Sequence, residues 1–248
     1  MTVRILALET SAKSVSLAVT ENGTLLAQAY QDRGLTHSVT LMPLLDGMLK
    51  TAGLTLDDMD IIAVAQGPGS FTGIRIGVSA AKGLAWAKAL PCCGVSTLEA
   101  MAYGVTDFEG VVVGAMDARR QQVYNALFKA ENGRIIRLCD DRAVSCEYVA
   151  QELRDAYPSE NDILIVGDGA ELLYKHLQAF GIPCRLASPL HRQQSAAGGR
   201  GGNSLRPYPA AVRFGTSGEA PVVADKPGYR RIPDLLRNRT RRPVFAVS

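Results

Sequence analysis

Apolar positions along this chain gather into short continuous runs separated by polar turns, and between some runs the spacing changes to that of a helix. Runs at 3–8 and 15–19 read as strands, because a run of that length rich in Val, Ile and Leu suits a buried pleated segment. Glu21-Asn22-Gly23 then forms a tight turn into a third strand at 24–30, since Asn and Gly both tolerate positive φ. Residues 38–52 carry apolar side chains at helical spacing. A fourth strand within 57–66 runs into Gly67-Pro68-Gly69-Ser70, which opens a second helix over 73–87. A short strand at 92–95 and a helix at 97–103 complete the set.

The same order then recurs. Strands at 111–116, 122–129 and 134–138 are joined by a second Glu-Asn-Gly turn at Glu131-Asn132-Gly133. A helix at 147–156, a strand at 163–166 and a helix opened by Gly167-Asp168-Gly169 follow. Repetition of strand, strand, strand, helix, strand, helix is an internal duplication. It predicts an α/β fold of two related lobes, each a mixed sheet with helices packed on it. The lobes are expected over 1–105 and 106–192. From 193 to 248 glycine, arginine and proline interrupt every pattern, and a largely irregular tail is expected.

Two helices stand out. In 73–87, Gly73, Gly77, Ala81 and Ala85 recur every fourth place and share one face, with Ile74, Val78 and Leu84 beside them. Such a face admits another backbone at close range. In 38–52, Val39, Leu41, Met42, Leu44, Leu45, Met48 and Leu49 cover more than a single stripe. A helix apolar on most sides is either buried all round or shared with a partner. The expected docking surface is therefore His37, Leu41, Met42, Leu45, Met48, Leu49, Gly73, Ile74, Gly77, Val78, Ala81, Leu84 and Ala85. The alternative is that these residues fill the chain's own core.

Composition narrows the class. Hydrophobic residues make up 47%, which argues against disorder. No run approaches the ~20 apolar residues that span a bilayer, and the first residues enter a strand directly, without a secretory signal. The five cysteines lack motif spacing and suit a reducing cytoplasm; Cys92-Cys93 read as buried thiols. The net charge of +3 is uneven, because ten of the 27 basic residues but only three of the 24 acidic ones lie beyond residue 192. A basic tail of that kind could neutralise nucleic-acid phosphates.

Four stretches carry a family resemblance. Ile5-Leu6-Ala7-Leu8-Glu9-Thr10-Ser11, Thr36-His37-Ser38 leading into Leu41-Met42-Pro43-Leu44, the glycine-rich block at 67–77, and Gly94-Val95-Ser96-Thr97-Leu98-Glu99-Ala100 closely resemble the TsaB family. The resemblance covers about residues 3–190. It implies the fold of the acetate kinase, sugar kinase, Hsp70 and actin superfamily (ASKHA). It also implies a non-catalytic role beside a TsaD-like paralogue that forms threonylcarbamoyladenosine next to the tRNA anticodon. A TsaE-like ATPase joins them, tRNA is met through the complex, and a homodimer is expected when the chain is alone.

The resemblance also bears on chemistry. TsaD-like enzymes hold a metal with two histidines four apart on a helix. Here Thr97 and Met101 stand at those places, and a hydroxyl and a thioether are poor ligands beside imidazole. The three histidines, His37, His176 and His191, share no ligand spacing. No cofactor of the chain's own is expected, the metal is expected in the partner, and ATP or ADP is possible at the complex. Glu9, Thr10, Ser11 and Asp117 are the candidate nucleotide-binding residues, as superfamily members use such positions near phosphates; the alternative is a cleft that has degenerated. An ATP-dependent kinase-like or glycoprotease-like enzyme remains the rival function.

Overall fold

In a computed structural model, residues 2–158 and 162–188 are described, together with three two-residue strands at 212–213, 222–223 and 245–246. Everything expected of the remaining tail after 188 lies outside the described residues. The chain divides into two compact units, one of residues 1–95 with 195–248, the other Ser96–Gln194.

The first unit is built on β1 (Arg4–Glu9), β2 (Val15–Glu21), β3 (Thr24–Gln31), β4 (Ile61–Gly67) and β5 (Cys92–Ser96), with helices α1 (His37–Ala52) and α2 (Phe71–Ala87). The order β5-β4-β1-β2-β3 puts β1 at the centre. It pairs antiparallel with β2 through Leu6 opposite Val19, and parallel with β4 through Leu6 opposite Ile62. Residues Ile5 to Glu9 are all buried, Leu6 and Leu8 against α1 and α2, and a strand buried on both faces reads as an unbroken apolar run. Asn22 and Gly23 take φ of 50° and 84° in the β2–β3 turn, the left-handed pair that a tight hairpin demands.

Thr40, Leu41, Leu45, Met48 and Leu49 form the buried face of α1. The helix stops at Gly53, whose φ of 65° lets its N–H return to the last carbonyls, as left-handed caps do. Ser70 caps α2, its hydroxyl accepting from Gly73 N; a hydroxyl there satisfies one of the helix's orphan donors. The core joins Leu6, Leu8, Leu17 and Ile62 of the sheet to Leu41, Leu45, Ala81 and Ala85 of the helices.

The second unit repeats the plan with α3 (Thr97–Tyr103), β6 (Gly110–Asp117), β7 (Gln122–Glu131), β8 (Arg134–Arg137), β9 (Arg142–Ser145), α4 (Cys146–Ala156), β10 (Ile163–Val166), α5 (Ala170–Ala179) and β11 (Arg185–Leu186). Its order, β11-β10-β6-β7-β8, matches that of the first sheet, with β9 added against β7. Val111, Val113 and Ala115 of β6 pack with Val149, Leu153, Leu173 and Leu177 of α4 and α5. Gly114, one step out of phase, faces Leu98 of α3, so side-chain alternation clothes both faces of the sheet.

The division falls at Val95/Ser96, ten residues before the expected end of the first lobe. The reason is α3: it packs on β6, β7 and β8, and Arg137 of β8 bonds Glu99 of α3 at 2.9 Å. The short strands β9 and β11 were not expected from the sequence.

Candidate partner interface

Helix α2 has two sides of different character. Its small-residue side, Gly73, Gly77, Ala81 and Ala85, is buried by the chain itself: Gly73 and Gly77 against the β1–β2 turn, Ala81 and Ala85 in the core beneath the sheet. A Cβ placed on Gly73 would overlap the Thr10 carbonyl, and one on Gly77 would overlap the Thr10 hydroxyl. Thr10 Oγ1 donates to the Gly73 carbonyl at 2.8 Å, and Ser70 N donates to the Ser11 carbonyl at 2.6 Å. This corrects the expectation that the stripe is a free docking surface: its close approach is used internally. Leu41, Leu45, Met48 and Leu49 are likewise core residues, so those four expected interface positions belong inside the fold.

The outward sides of α1 and α2 meet differently. Between them lies an open groove of about 490 Å³, lined by Ser38, Met42, Phe71, Arg75, Ile76 and Ser79 among others. Phe71 is 68% exposed, Val39 66% and Met42 45%, and Leu35 stands exposed just before α1. The Arg75 guanidinium lies 3.8 Å from the Phe71 ring centroid, a cation–π stack that holds the ring at the groove's rim. Ile74, Val78 and Leu84 are half-buried. Of the expected residues, only Met42 is exposed and large. Phe71 was missed, although Phe71, Arg75 and Ser79 lie four apart and share a helix face.

His37 sits at the start of α1, and its Nε2 donates to the Ala12 carbonyl at 2.7 Å. The β1–β2 turn is thus tied to the first turns of both helices. Within it Glu9, Thr10 and Ser11 are all buried. Glu9 accepts from Ser11 N at 2.6 Å. Burial pushes its carboxyl up from 4.5 to about 7, against the opposing pull of the Ser11 and Thr10 donors. A turn that uses its hydroxyl and carbonyl on α2 in this way offers little to a phosphate.

Asp117 belongs to the second unit. It is exposed, and its Oδ1 accepts from Arg119 N at 2.7 Å. In the same unit Thr97 and Met101, at the two histidine places of the TsaD-like pattern, are buried. Thr97 Oγ1 has no hydrogen-bond partner among the described residues, and the Met101 sulfur stands against Gly167. A hydroxyl and a thioether do not fit that pattern's metal. Cys92 and Cys93 are buried, their thiols pushed up by burial to about 11 and about 12, which makes them inert.

Comparison with known proteins places this fold. A family model described as TsaD, tRNA N6-adenosine threonylcarbamoyltransferase, matches residues 32–193. The tRNA threonylcarbamoyladenosine biosynthesis protein TsaB of Bacillus subtilis is 34% identical over 168 residues, 68% of this chain and 72% of that protein. The chain belongs to the TsaB family. The Escherichia coli TsaB is 40% identical over 134 residues, 53% of this chain and 58% of that protein, so the chain matches between about half and three-quarters of its TsaB relatives' length. YeaZ from Pseudomonas aeruginosa superposes with a TM-score of 0.64 at 29% identity, covering 78% of this chain and 87% of that one. The α/β architecture of two related mixed sheets with packed helices, expected from the sequence, is the one found.

Proposed function

We propose that this chain is a non-catalytic subunit in the formation of threonylcarbamoyladenosine in tRNA, docking on a TsaD-like threonylcarbamoyltransferase through the outward faces of α1 and α2. The observation that carries the reading is the groove around Met42, Phe71, Arg75 and Ser79. Its lining includes the exposed side chains of Met42 and Phe71, and grouped exposed apolar side chains mark interaction sites. Its floor is small at Ser79 and Ala80, so a partner helix can lie close.

The partner is argued from kinship. A TsaD model matches the chain itself, so the paralogue shares the fold and offers corresponding helices. The division of labour follows from Thr97 and Met101, which replace the metal-binding pair and leave that chemistry to the partner. A TsaE-like ATPase, tRNA and a nucleotide belong to the assembled complex. Alone, the chain pairs with a second copy through the same face.

The test is size exclusion of the purified chain with its host's TsaD-like protein. Co-elution that is lost on Met42→Glu, with unchanged circular dichroism, is expected. Complex formation indifferent to Met42 and Ser79 substitutions refutes the placement.

A further inference from the structure

The second unit contains a hairpin that breaks a rule the chain obeys elsewhere. Two of its hairpins turn on Asn-Gly: Asn22 and Gly23 at φ of 50° and 84°, Asn132 and Gly133 at 52° and 68°. These residues enter the left-handed region at least cost. The β6–β7 hairpin instead places Arg119, Arg120 and Gln121 there in succession, at 69°, 52° and 60°. Gln122 N donates to the Arg119 carbonyl at 3.0 Å, and Ala118 N to the Gln122 carbonyl at 3.0 Å. Arg120 and Gln121 are therefore the central pair of a turn that elsewhere in this chain is Asn-Gly.

Side chains with a Cβ are disfavoured in this region, and non-glycine residues held there concentrate at functional sites. Here the disfavoured residues are the exposed ones: Arg119, Arg120, Gln121 and Gln122 all face solvent. Asp117 accepts from the Arg119 amide, and its other oxygen stands 3.9 Å from the Arg119 guanidinium. The Gln121 carbonyl accepts from Cys146 N at the start of α4. The turn's backbone is thus anchored at both ends while its guanidinium and amide groups project outward.

We propose that this tip contacts the phosphodiester backbone of RNA. Guanidinium forks match phosphate oxygens, and exposed amides serve phosphate and sugar. The tip holds no large apolar or aromatic side chain, the anchor that a protein partner would need. The assignment rests on the reading of the chain as part of a tRNA-modifying complex, and it concerns a turn of the second unit, whereas the α1–α2 groove belongs to the first.

The test uses the full chain, alone and with its TsaD-like paralogue, titrated with fluorescent tRNA at several salt concentrations. Arg120→Asn combined with Gln121→Gly installs the turn of the other two hairpins. The expected result is a higher unfolding midpoint together with weaker tRNA binding. Adding Arg119→Ala should weaken binding about tenfold and lower the log–log salt slope by about 1 to 2. Paralogue co-elution should be unchanged in both variants, so a failure of the groove reading appears separately, as loss of co-elution in groove variants only. A stabilised turn variant that binds tRNA as tightly as the parent overturns the proposal. So does a parent that binds no tRNA in either setting, or a tip that answers to polyglutamate and not to tRNA.

Discussion

The Thr10 hydroxyl donates to the Gly73 carbonyl at 2.8 Å across sixty-three positions of sequence. That bond exists because Gly73 and Gly77 have no side chain to keep the β1–β2 turn away from α2. Gly77→Ala is therefore expected to destabilise the protein by about 2 kcal/mol or more, since overpacking forces a backbone shift, although alanine is the better helix former. Gly47→Ala is the control. It lies inside α1 with nothing within 4 Å of a new Cβ, and it should stabilise by roughly 0.5–1 kcal/mol. Urea unfolding of the two variants measures the contrast.

Glu9 gives stability a pH dependence. Its folded value, about 7, lies above the 4.5 of an unburied glutamate. The folded state therefore holds this proton while the unfolded state releases it. The Glu9 contribution is fully present below pH 4.5 and is lost as pH rises through 7, amounting to roughly 3 kcal/mol across that window. Glu9→Gln should flatten this part of the profile. Denaturant midpoints between pH 4.5 and 8 for parent and variant check the sign; a parental stability that rises through the window contradicts it.

Groove substitutions should separate docking from folding. Met42→Glu and Ser79→Arg alter exposed positions, where a surface change costs within ~0.5 kcal/mol of stability. Either should abolish co-elution with the TsaD-like paralogue and shift the isolated chain toward monomer by light scattering, with the thermal midpoint nearly unchanged. Gly77→Leu and Ala81→Arg, which the sequence pattern suggests as interface variants, should instead unfold the first unit.

In the second unit Arg137 joins α3 to the sheet. It donates to Glu99 at 2.9 Å and Asp141 at 2.6 Å, with its guanidinium over the Phe128 ring. Arg137 and Glu99 side chains are 22% and 14% exposed. Arg137→Leu leaves Glu99 without its cation, and a loss of roughly 2 kcal/mol is expected. Glu99→Gln combined with Arg137→Leu should recover part of it in a double-mutant cycle.

The duplicated plan was legible because both lobes announce it in the same way. Apolar runs at β1 and β6 end in Glu9 and Asp117, and Asn22-Gly23 and Asn132-Gly133 mark equivalent hairpins. The strands β9 and β11 were not legible: four residues starting on Arg142 and two on Arg185 are too short for any periodicity. The character of α2 was half legible. Spacing shows that Gly73, Gly77, Ala81 and Ala85 share a face, but a small face serves a partner's backbone and the chain's own turn equally well. What decides between them is Thr10, distant in sequence and brought near only by the fold. Phe71 escaped notice because an apolar residue at a helix start reads as core until its neighbours are placed. The hairpin at Arg119 carried no signal at all, since backbone sign is invisible where neither Gly nor Asn stands.

Helix α2 works as a plate with one side locked and the other open to change. Gly73 and Gly77, which meet Thr10, have no room for a side chain, whereas Phe71, Arg75 and Ser79 stand exposed on the other side. The groove's side chains can therefore be exchanged, by drift or by an engineer, without renegotiating the scaffold beneath it.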